Sequence, residues 1–339
     1  QPVGPVFAIT PWNFPLAMGT RKLGPALAAG CTTIIRPSSL TPLTMIYLMQ
    51  ALRDAGLPAG VVNCITSARS GAVSKAIMTD PRLRKLTFTG STEVGKMLLE
   101  QAAGNVLRTS MELGGNAPFV VLSDADVDEA VAGAMPAKFR NNGEACTGAN
   151  RFYVHRDLVD EFTSKLTEKA SQLVVGAGID ADTTLGPLVD EDTVSKVAEL
   201  VADAVSKGAR ATTGGSRVEG AGFFHEPTVL ADVPYGARLL KEEIFGPVAP
   251  IVTVDSDDEA IAAANDTEFG LISYAFTRDI NKAIDAAERL ESGMVALNTG
   301  VISNPAAPFG GVKSSGLGRE GSHEGIEEYL EVKYIGMTS

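Results

Sequence analysis

The sequence predicts an α/β protein built from two doubly wound αβ domains. Short apolar strand-like runs alternate with helical patterns from the first residues, and Gly and Pro punctuate the joints. A second such series starts near Ala117. A chain of 339 residues, 45% hydrophobic and 21% charged, can bury two cores and has the composition of an ordinary globular enzyme.

In the first series, residues 6–10 read as a strand and 16–29 as a helix. The alternation continues with 31–36 and 43–55, 61–65 and 72–78, and 85–89 and 93–103. Such alternation indicates a parallel sheet covered on both faces, whose ligands sit beyond the carboxyl ends of the strands. The second series runs through 119–122, 127–139, 151–155, 159–174, 193–207, 249–254, 259–264, 272–277 and 280–290. The glycines within 112–116 mark the expected domain junction. Residues 328–337 alternate apolar and polar, as a strand does. A terminal strand needs a sheet to join, so it is expected to serve oligomerisation in a homodimer or homotetramer.

A formal net charge of −12 and a pI near 4.8 argue against nucleic acid or an anionic membrane as partner. An acidic protein that binds anionic ligands needs local arginines, so individual Arg positions become informative. No apolar run reaches the ~18 residues of a spanning helix, and the start carries no signal-peptide pattern. The chain opens on Gln1 without a Met and reads as beginning in mid-protein. Cys31, Cys64 and Cys146 form no paired framework, which points to a reducing cytoplasm. His155, His225 and His323 lack metal-ligand spacing, so no metal is expected.

Three short segments stand out. Cys146 sits among Gly143, Ala145, Thr147 and Gly148, with no apolar periodicity to pack it. Small neighbours let a substrate approach and leave backbone N–H groups to face a developing oxyanion; spacing alone leaves catalysis and packing evenly matched. Thiolate formation needs a lowered pKa, and Glu144 next door pushes the other way unless it points outward. Glu112 ends a strand-like run before Gly114 and Gly115, a turn able to present a carboxylate in a cleft; the ordinary alternative is a solvated residue. Asn13 lies between Trp12 and Phe14 and is either a turn residue or an amide donor to a substrate oxygen.

Gly90-x4-Gly95-Lys96 matches most of a phosphate-cradling loop, but Met97 stands where a magnesium-binding hydroxyl belongs, so a nucleotide triphosphatase is excluded. Gly90-Ser91-Thr92 still offers N–H groups and a helix dipole to a pyrophosphate. Arg36-Pro37-Ser38-Ser39 follows the second strand, where a dinucleotide's adenosine ribose would lie, and presents one cation and two hydroxyls without a carboxylate.

The ordered set Pro11-Trp12-Asn13-Phe14-Pro15, Gly90-Ser91-Thr92, Glu112-Leu113-Gly114-Gly115, Cys146, Glu242-Glu243-Ile244-Phe245-Gly246-Pro247 and Pro308-Phe309-Gly310-Gly311 resembles the aldehyde dehydrogenase superfamily over the whole chain. Within it the chain is most similar to the succinate-semialdehyde dehydrogenases. The resemblance implies that residues 1–114 form a dinucleotide-binding domain lacking its N-terminal part. It likewise implies a catalytic thiol domain over 115–314 and a return segment with the oligomerisation strand over 315–339. It implies Cys146 as nucleophile, Glu112 as the base for the deacylating water, and Asn13 with the Cys146 N–H as oxyanion hole. Thr10 and Trp12 would line the cofactor path, Gly90 and Ser91 hold the pyrophosphate, and Glu243 and Phe245 place the nicotinamide ribose and ring. Arg21, Arg140 and Ser303 would bind a distal carboxylate.

The departures from the family pattern carry information. Many relatives have Lys-Pro-x-Glu where this chain has Arg36-Pro37-Ser38-Ser39, and that Glu would repel a 2′-phosphate. Its loss favours NADP as cofactor, with NAD possible. Glu144 replaces a common Gln, and Gly148 stands where some relatives have a second cysteine, so a Cys-x-Cys disulfide switch is absent. The expected activity is NAD(P)-dependent oxidation of succinate semialdehyde to succinate, in 4-aminobutyrate breakdown. The rivals are another semialdehyde such as glutarate semialdehyde, and a catalytically silent member of the superfamily.

Overall fold

The computed structural model describes residues 1–338, and the chain divides into two compact units. One unit comprises Gln1–Leu113 and the return segment from Ser303 onward; the other is Gly114–Ile302. The segment expected to begin at residue 315 is therefore part of the first unit, together with 303–314.

The first unit opens with β1 (Val6–Ile9), α1 (Pro15–Ala28), β2 (Thr33–Arg36), α2 (Pro42–Asp54), β3 (Val62–Cys64), α3 (Ser70–Met78), β4 (Lys85–Thr89), α4 (Thr92–Ala103) and β5 (Arg108–Glu112). All four residues of β1 are buried, as befits a parallel strand covered on both faces. Phe7 and Ile9 pack with Leu86, Phe88 and Met111 on one side, whereas Ala8 packs with Leu23, Ile35 and Met45 on the other. Helix α1 starts at Pro15, whose fixed φ and missing N–H suit a first turn, and buries Met18, Gly19, Lys22, Leu23 and Ala26.

The second unit contains β6 (Ala117–Val121), α5 (Val127–Phe139), a 3-10 turn at Arg140–Gly143, β7 (Ala149–His155), α6 (Val159–Ser171), α7 (Glu191–Ser206), β8 (Arg210–Thr213), β9 (Thr228–Ala231), β10 (Val248–Val254), α8 (Asp257–Asn265), β11 (Ile272–Phe276), α9 (Ile280–Arg289) and β12 (Met294–Leu297). Its sheet has the order β12-β11-β6-β7-β10-β9-β8, and β8 runs antiparallel to its neighbour. Phe119 stacks on Phe276 with ring centroids 4.8 Å apart and meets Phe152 at 5.0 Å, filling one face; Val120 turns to the other, among Val197, Leu230 and Val252.

The return segment adds β13 (Gly316–Leu317) and α10 (Ser322–Glu327) to the first unit, whose sheet reads β13-β5-β4-β1-β2-β3. β13 is antiparallel to β5 and the other pairs are parallel. From β1 the chain proceeds outward to β2 and β3, then crosses back to β4 and β5 on the opposite side. That reversal opens a crevice at the carboxyl ends of β1 and β4, where open sheets of this type receive ligands.

Within the single chain, residues 328–337 form no strand. Leu330 pairs with Pro2 in an isolated bridge, while Val332, Tyr334, Ile335 and Met337 are exposed and outside any ladder. A strand exists only through its hydrogen-bonded neighbour, and this segment has none along most of its length in the single chain. Strands β8, β9 and β12 were not expected; β8 is a polar edge and β12 only four residues long. Among the described residues no helix is long and apolar enough to cross a membrane.

Candidate active site

The crevice edge of the first unit gathers several of the sequence-selected residues. Thr10 follows β1 and donates its N–H to the Arg36 carbonyl at 3.1 Å, holding the two strand ends together. Its buried hydroxyl has no hydrogen-bond partner. Trp12 and Asn13 lie half-buried in the turn between β1 and α1. Arg36 ends β2 with a buried, unpartnered Nε, and burial lowers its pKa. Ser39 is exposed, while Ser38 Oγ accepts the Leu40 N–H at 3.2 Å.

Gly90 and Ser91 follow β4. Ser91 is the N-cap of α4, its Oγ accepting from Val94 N–H at 3.5 Å, so the helix's first N–H groups sit at the crevice. A Cβ on Gly90 would collide with the Phe88 ring. A helix N-terminus for a diphosphate, a half-buried guanidinium and an orphan hydroxyl on one edge fit a dinucleotide phosphate.

Arg21, on α1, donates through Nη2 to Ser303 Oγ at 2.6 Å, and its guanidinium lies 4.4 Å from the Phe309 ring centroid. Its Nη1 is buried without a hydrogen-bond partner. A cavity of about 780 Å³ opens beside it, lined also by Thr20, Gly24, Asn304, Phe309 and His323.

Glu112 closes β5, 4% exposed, with Oε2 unpartnered. Gly310 leaves the space beside it: a Cβ there would lie 2.9 Å from Glu112 Oε1. Burial is the largest influence and lifts the Glu112 pKa well above its ordinary value. The charge of Glu320 lifts it further, against the opposing pull of Lys22, Arg319 and Arg21. Lys22 Nζ, 1% exposed in its side chain, donates to Glu320 Oε1 at 2.7 Å and to Thr87 Oγ1 at 3.1 Å. Neither Lys22 nor Glu320 was singled out from the sequence. The signal was present in part: Lys22 falls on the apolar stripe of α1 with Met18, Leu23 and Ala26.

In the second unit the sequence-selected residues gather at the amino ends of the strands. Cys146 precedes β7, Glu243 and Phe245 precede β10, and Gly115 precedes β6. The registers of β6 with β7 and of β7 with β10 bring those ends to one edge. Asn141, Asn142 and Gly143 all have left-handed backbones, with φ of 52°, 59° and 77°. Gly143 is required twice over, since a Cβ would overlap the Gly246 carbonyl.

Several neighbours hold this loop. Asn142 donates to the Pro187 carbonyl at 3.0 Å and accepts from Gly186 N–H at 2.8 Å. Glu144, 4% exposed, accepts the Val189 N–H at 2.9 Å. Tyr274 donates its hydroxyl to the Thr147 carbonyl at 2.8 Å. A Cβ on Gly115 would press within 2.8 Å of the Cys146 carbonyl. Cys146 is half-buried and outside the hydrophobic core, and Arg140 is exposed at the start of the turn.

Glu243 accepts the Gly115 N–H at 3.2 Å, and burial pushes its pKa up to about 7. Phe245 has φ 54°, a strained value for an aromatic residue. Lys138, fully buried at the end of α5, donates to Asn150 Oδ1 at 2.8 Å, and burial brings its pKa down to about 7.

The first unit thus carries Asn13, Arg21, Glu112 and Ser303, and the second carries Cys146, Arg140, Glu243 and Phe245. Among the described residues no group of His, Cys, Asp or Glu could hold a metal ion.

Residues 1–335 match the model of the aldehyde dehydrogenase family, whose members use NAD(P). The chain is 55% identical over 338 residues to a succinate-semialdehyde dehydrogenase of Paenarthrobacter nicotinovorans, covering 100% of this chain and 75% of that one. It is 52% identical over 335 residues to a glutarate-semialdehyde dehydrogenase of Pseudomonas putida, covering 99% and 69%. A crystal structure of an Escherichia coli NADP dependent enzyme superposes with a TM-score of 0.97 at 53% identity, covering 99% of this chain and 69% of that one. With a family match running nearly end to end and more than half the residues shared with such relatives, the chain belongs to the aldehyde dehydrogenase family.

Proposed function

We propose that the protein oxidises a short aldehyde bearing a distal carboxylate, succinate semialdehyde, to the dicarboxylic acid, with NADP as the preferred cofactor. The observation that carries the substrate class is the Arg21–Ser303 hydrogen bond with Arg21 Nη1 buried and unpartnered beside a cavity. A guanidinium held on one side and open on the other is suited to a carboxylate, which accepts two parallel hydrogen bonds. Arg140 is assigned to the same carboxylate. The relative named for succinate semialdehyde supports this reading.

Cys146 is assigned as the nucleophile. Its thiolate adds to the aldehyde carbon to give a thiohemiacetal, whose oxyanion accepts hydrogen bonds from the Asn13 amide and the Cys146 N–H. The nicotinamide of the bound cofactor supplies the hydride acceptor. Glu112, whose burial makes its carboxylate a stronger base than an exposed one, takes a proton in its ionised form from the water that hydrolyses the thioester. Thr10, Trp12, Gly90 and Ser91 are assigned to the cofactor path and diphosphate, and Glu243 and Phe245 to the nicotinamide half. Arg36 and Ser39 would admit a 2′-phosphate, because a cation is present and no carboxylate stands at residue 39. In these terms residues 1–114 serve the dinucleotide and the stretch from 115 carries the thiol.

The test is reduced-cofactor formation by the purified protein with succinate semialdehyde and each dinucleotide. Turnover with NADP exceeding that with NAD supports the reading; turnover only with uncharged aldehydes overturns the substrate class. Glutarate semialdehyde is the second reading, favoured by the Pseudomonas putida relative. A panel of ω-carboxyaldehydes of increasing length separates the two.

A further inference from the structure

Glu144 is a buried carboxyl two residues before the assigned nucleophile, and the mechanism above does not use it. We propose that Glu144 is a positioning residue for the Cys146 thiol, stapling the nucleophile's loop to the segment ahead of α7. The proposal rests on the assignment of Cys146 as the reacting thiol.

The geometry identifies the staple. Three consecutive left-handed residues, Asn141 to Gly143, turn the chain sharply before Cys146 and need outside support to persist. Asn142 provides part of it through Gly186 and Pro187, and Glu144 provides the next link through Val189 N–H at 2.9 Å. Glu144 also shares its backbone with the turn: its N–H donates to the Asn141 carbonyl at 2.9 Å, and its carbonyl accepts from Asn141 Nδ2 at 3.0 Å. Its side chain and main chain together therefore fix both sides of the bend.

The surroundings decide which protonation state fits. Glu144 is withdrawn from water, and the charged group facing it from the start of α7 is Asp190, whose carboxylate accepts the Thr193 N–H and hydroxyl as N-cap. The cations and acids nearby are engaged elsewhere: Lys196 with the Glu243 carbonyl at 2.7 Å, Glu191 with Arg217 at 2.8 Å. On its own loop Arg140 is exposed. Burial, then the Asp190 charge, push Glu144 up to about 7, against the Val189 hydrogen bond. Ionisation near neutrality therefore places a poorly solvated negative charge beside Asp190 and close in sequence to the thiol, which opposes thiolate formation. The substitution Glu144→Gln keeps the carbonyl acceptor and removes the charge.

The experiment measures the rate of Cys146 alkylation by iodoacetamide across neutral pH in the full chain, without aldehyde or cofactor, for the parent and Glu144→Gln. Cys146→Ala defines background labelling at Cys64 and Cys31. The rate of the Glu144→Gln variant divided by that of the parent should be near one at about pH 6, rising to about five- to tenfold by about pH 8.5, with its midpoint near neutrality. Glu144→Ala, lacking the acceptor, should react more slowly than Glu144→Gln at every pH, so restoration by the amide separates positioning from charge alone. A ratio that does not change with pH, or an Ala variant as reactive as the Gln variant, overturns the proposal. Loss of pH dependence with intact Cys146-dependent turnover defeats this inference alone; turnover surviving Cys146→Ala defeats the assignment beneath it.

Discussion

Arg21 Nη2 and Ser303 Oγ are 2.6 Å apart although 282 residues separate them. The contact fixes one edge of a guanidinium whose other edge is unpartnered, and the two residues are those assigned to the substrate carboxylate. Arg21→Ala should raise KM for succinate semialdehyde by about tenfold or more, the scale of a lost charge-assisted hydrogen bond, with a smaller effect on an uncharged aldehyde. Parallel saturation curves with the two substrates check this. Equal losses on both would remove Arg21 from carboxylate recognition.

Glu112→Gln should lower steady-state turnover by roughly 10²–10⁴-fold, the range for removing a general base, while leaving the first hydride transfer in place. A pre-steady-state burst followed by near-zero turnover is the expected record. Stability should move the other way. The folded Glu112 has its pKa raised above 4.5, so the buried carboxyl is tolerated uncharged and becomes destabilising as pH rises from the ordinary carboxylate range. The Gln variant should resist denaturant better than the parent at neutral pH, the difference vanishing at about pH 4.

Lys22 and Glu320 form a buried ion pair at 2.7 Å. Lys22→Met leaves Glu320 charged and unpaired, which should cost about 3–5 kcal/mol of stability. Lys22→Met with Glu320→Gln should recover part of that loss. Urea denaturation of the single and double variants is the measurement. A single variant as stable as the parent would show the pair to be solvated in solution.

Ser39→Glu should reverse cofactor choice. A carboxylate at that position repels a 2′-phosphate and can accept from ribose hydroxyls, so the NADP-to-NAD efficiency ratio should fall by at least about tenfold. Comparing kcat/KM for the two dinucleotides reads it directly. An unchanged ratio would place the ribose elsewhere.

The parallel αβ series was legible because β1, β4 and β6 are buried throughout and the helices after β1 and β4 carry one apolar face. The pairing of Arg21 with Ser303 was legible only through the family resemblance, since no local pattern links residues so distant in sequence. In the first unit Thr10, Arg36, Gly90 and Glu112 stand at the carboxyl ends of their strands. In the second, Cys146, Glu243 and Phe245 stand at the amino ends, because each belongs to a loop entering its strand. Periodicity gives strands no sense of which end carries function. The alternation over 328–337 describes a face, whereas a strand also needs a neighbour, and within the single chain that segment bridges only at Leu330 with Pro2.

The first unit is assembled from both ends of the chain, and the second from one continuous stretch. During synthesis on a ribosome, 114–302 can therefore complete its core while the earlier residues still wait for β13, α10 and Glu320. Lys22 emerges 298 residues ahead of its counterion and must remain hydrated until that partner arrives. The pocket around Glu112 is consequently among the last parts of the molecule to mature, so no growing chain holds that carboxyl in its finished surroundings.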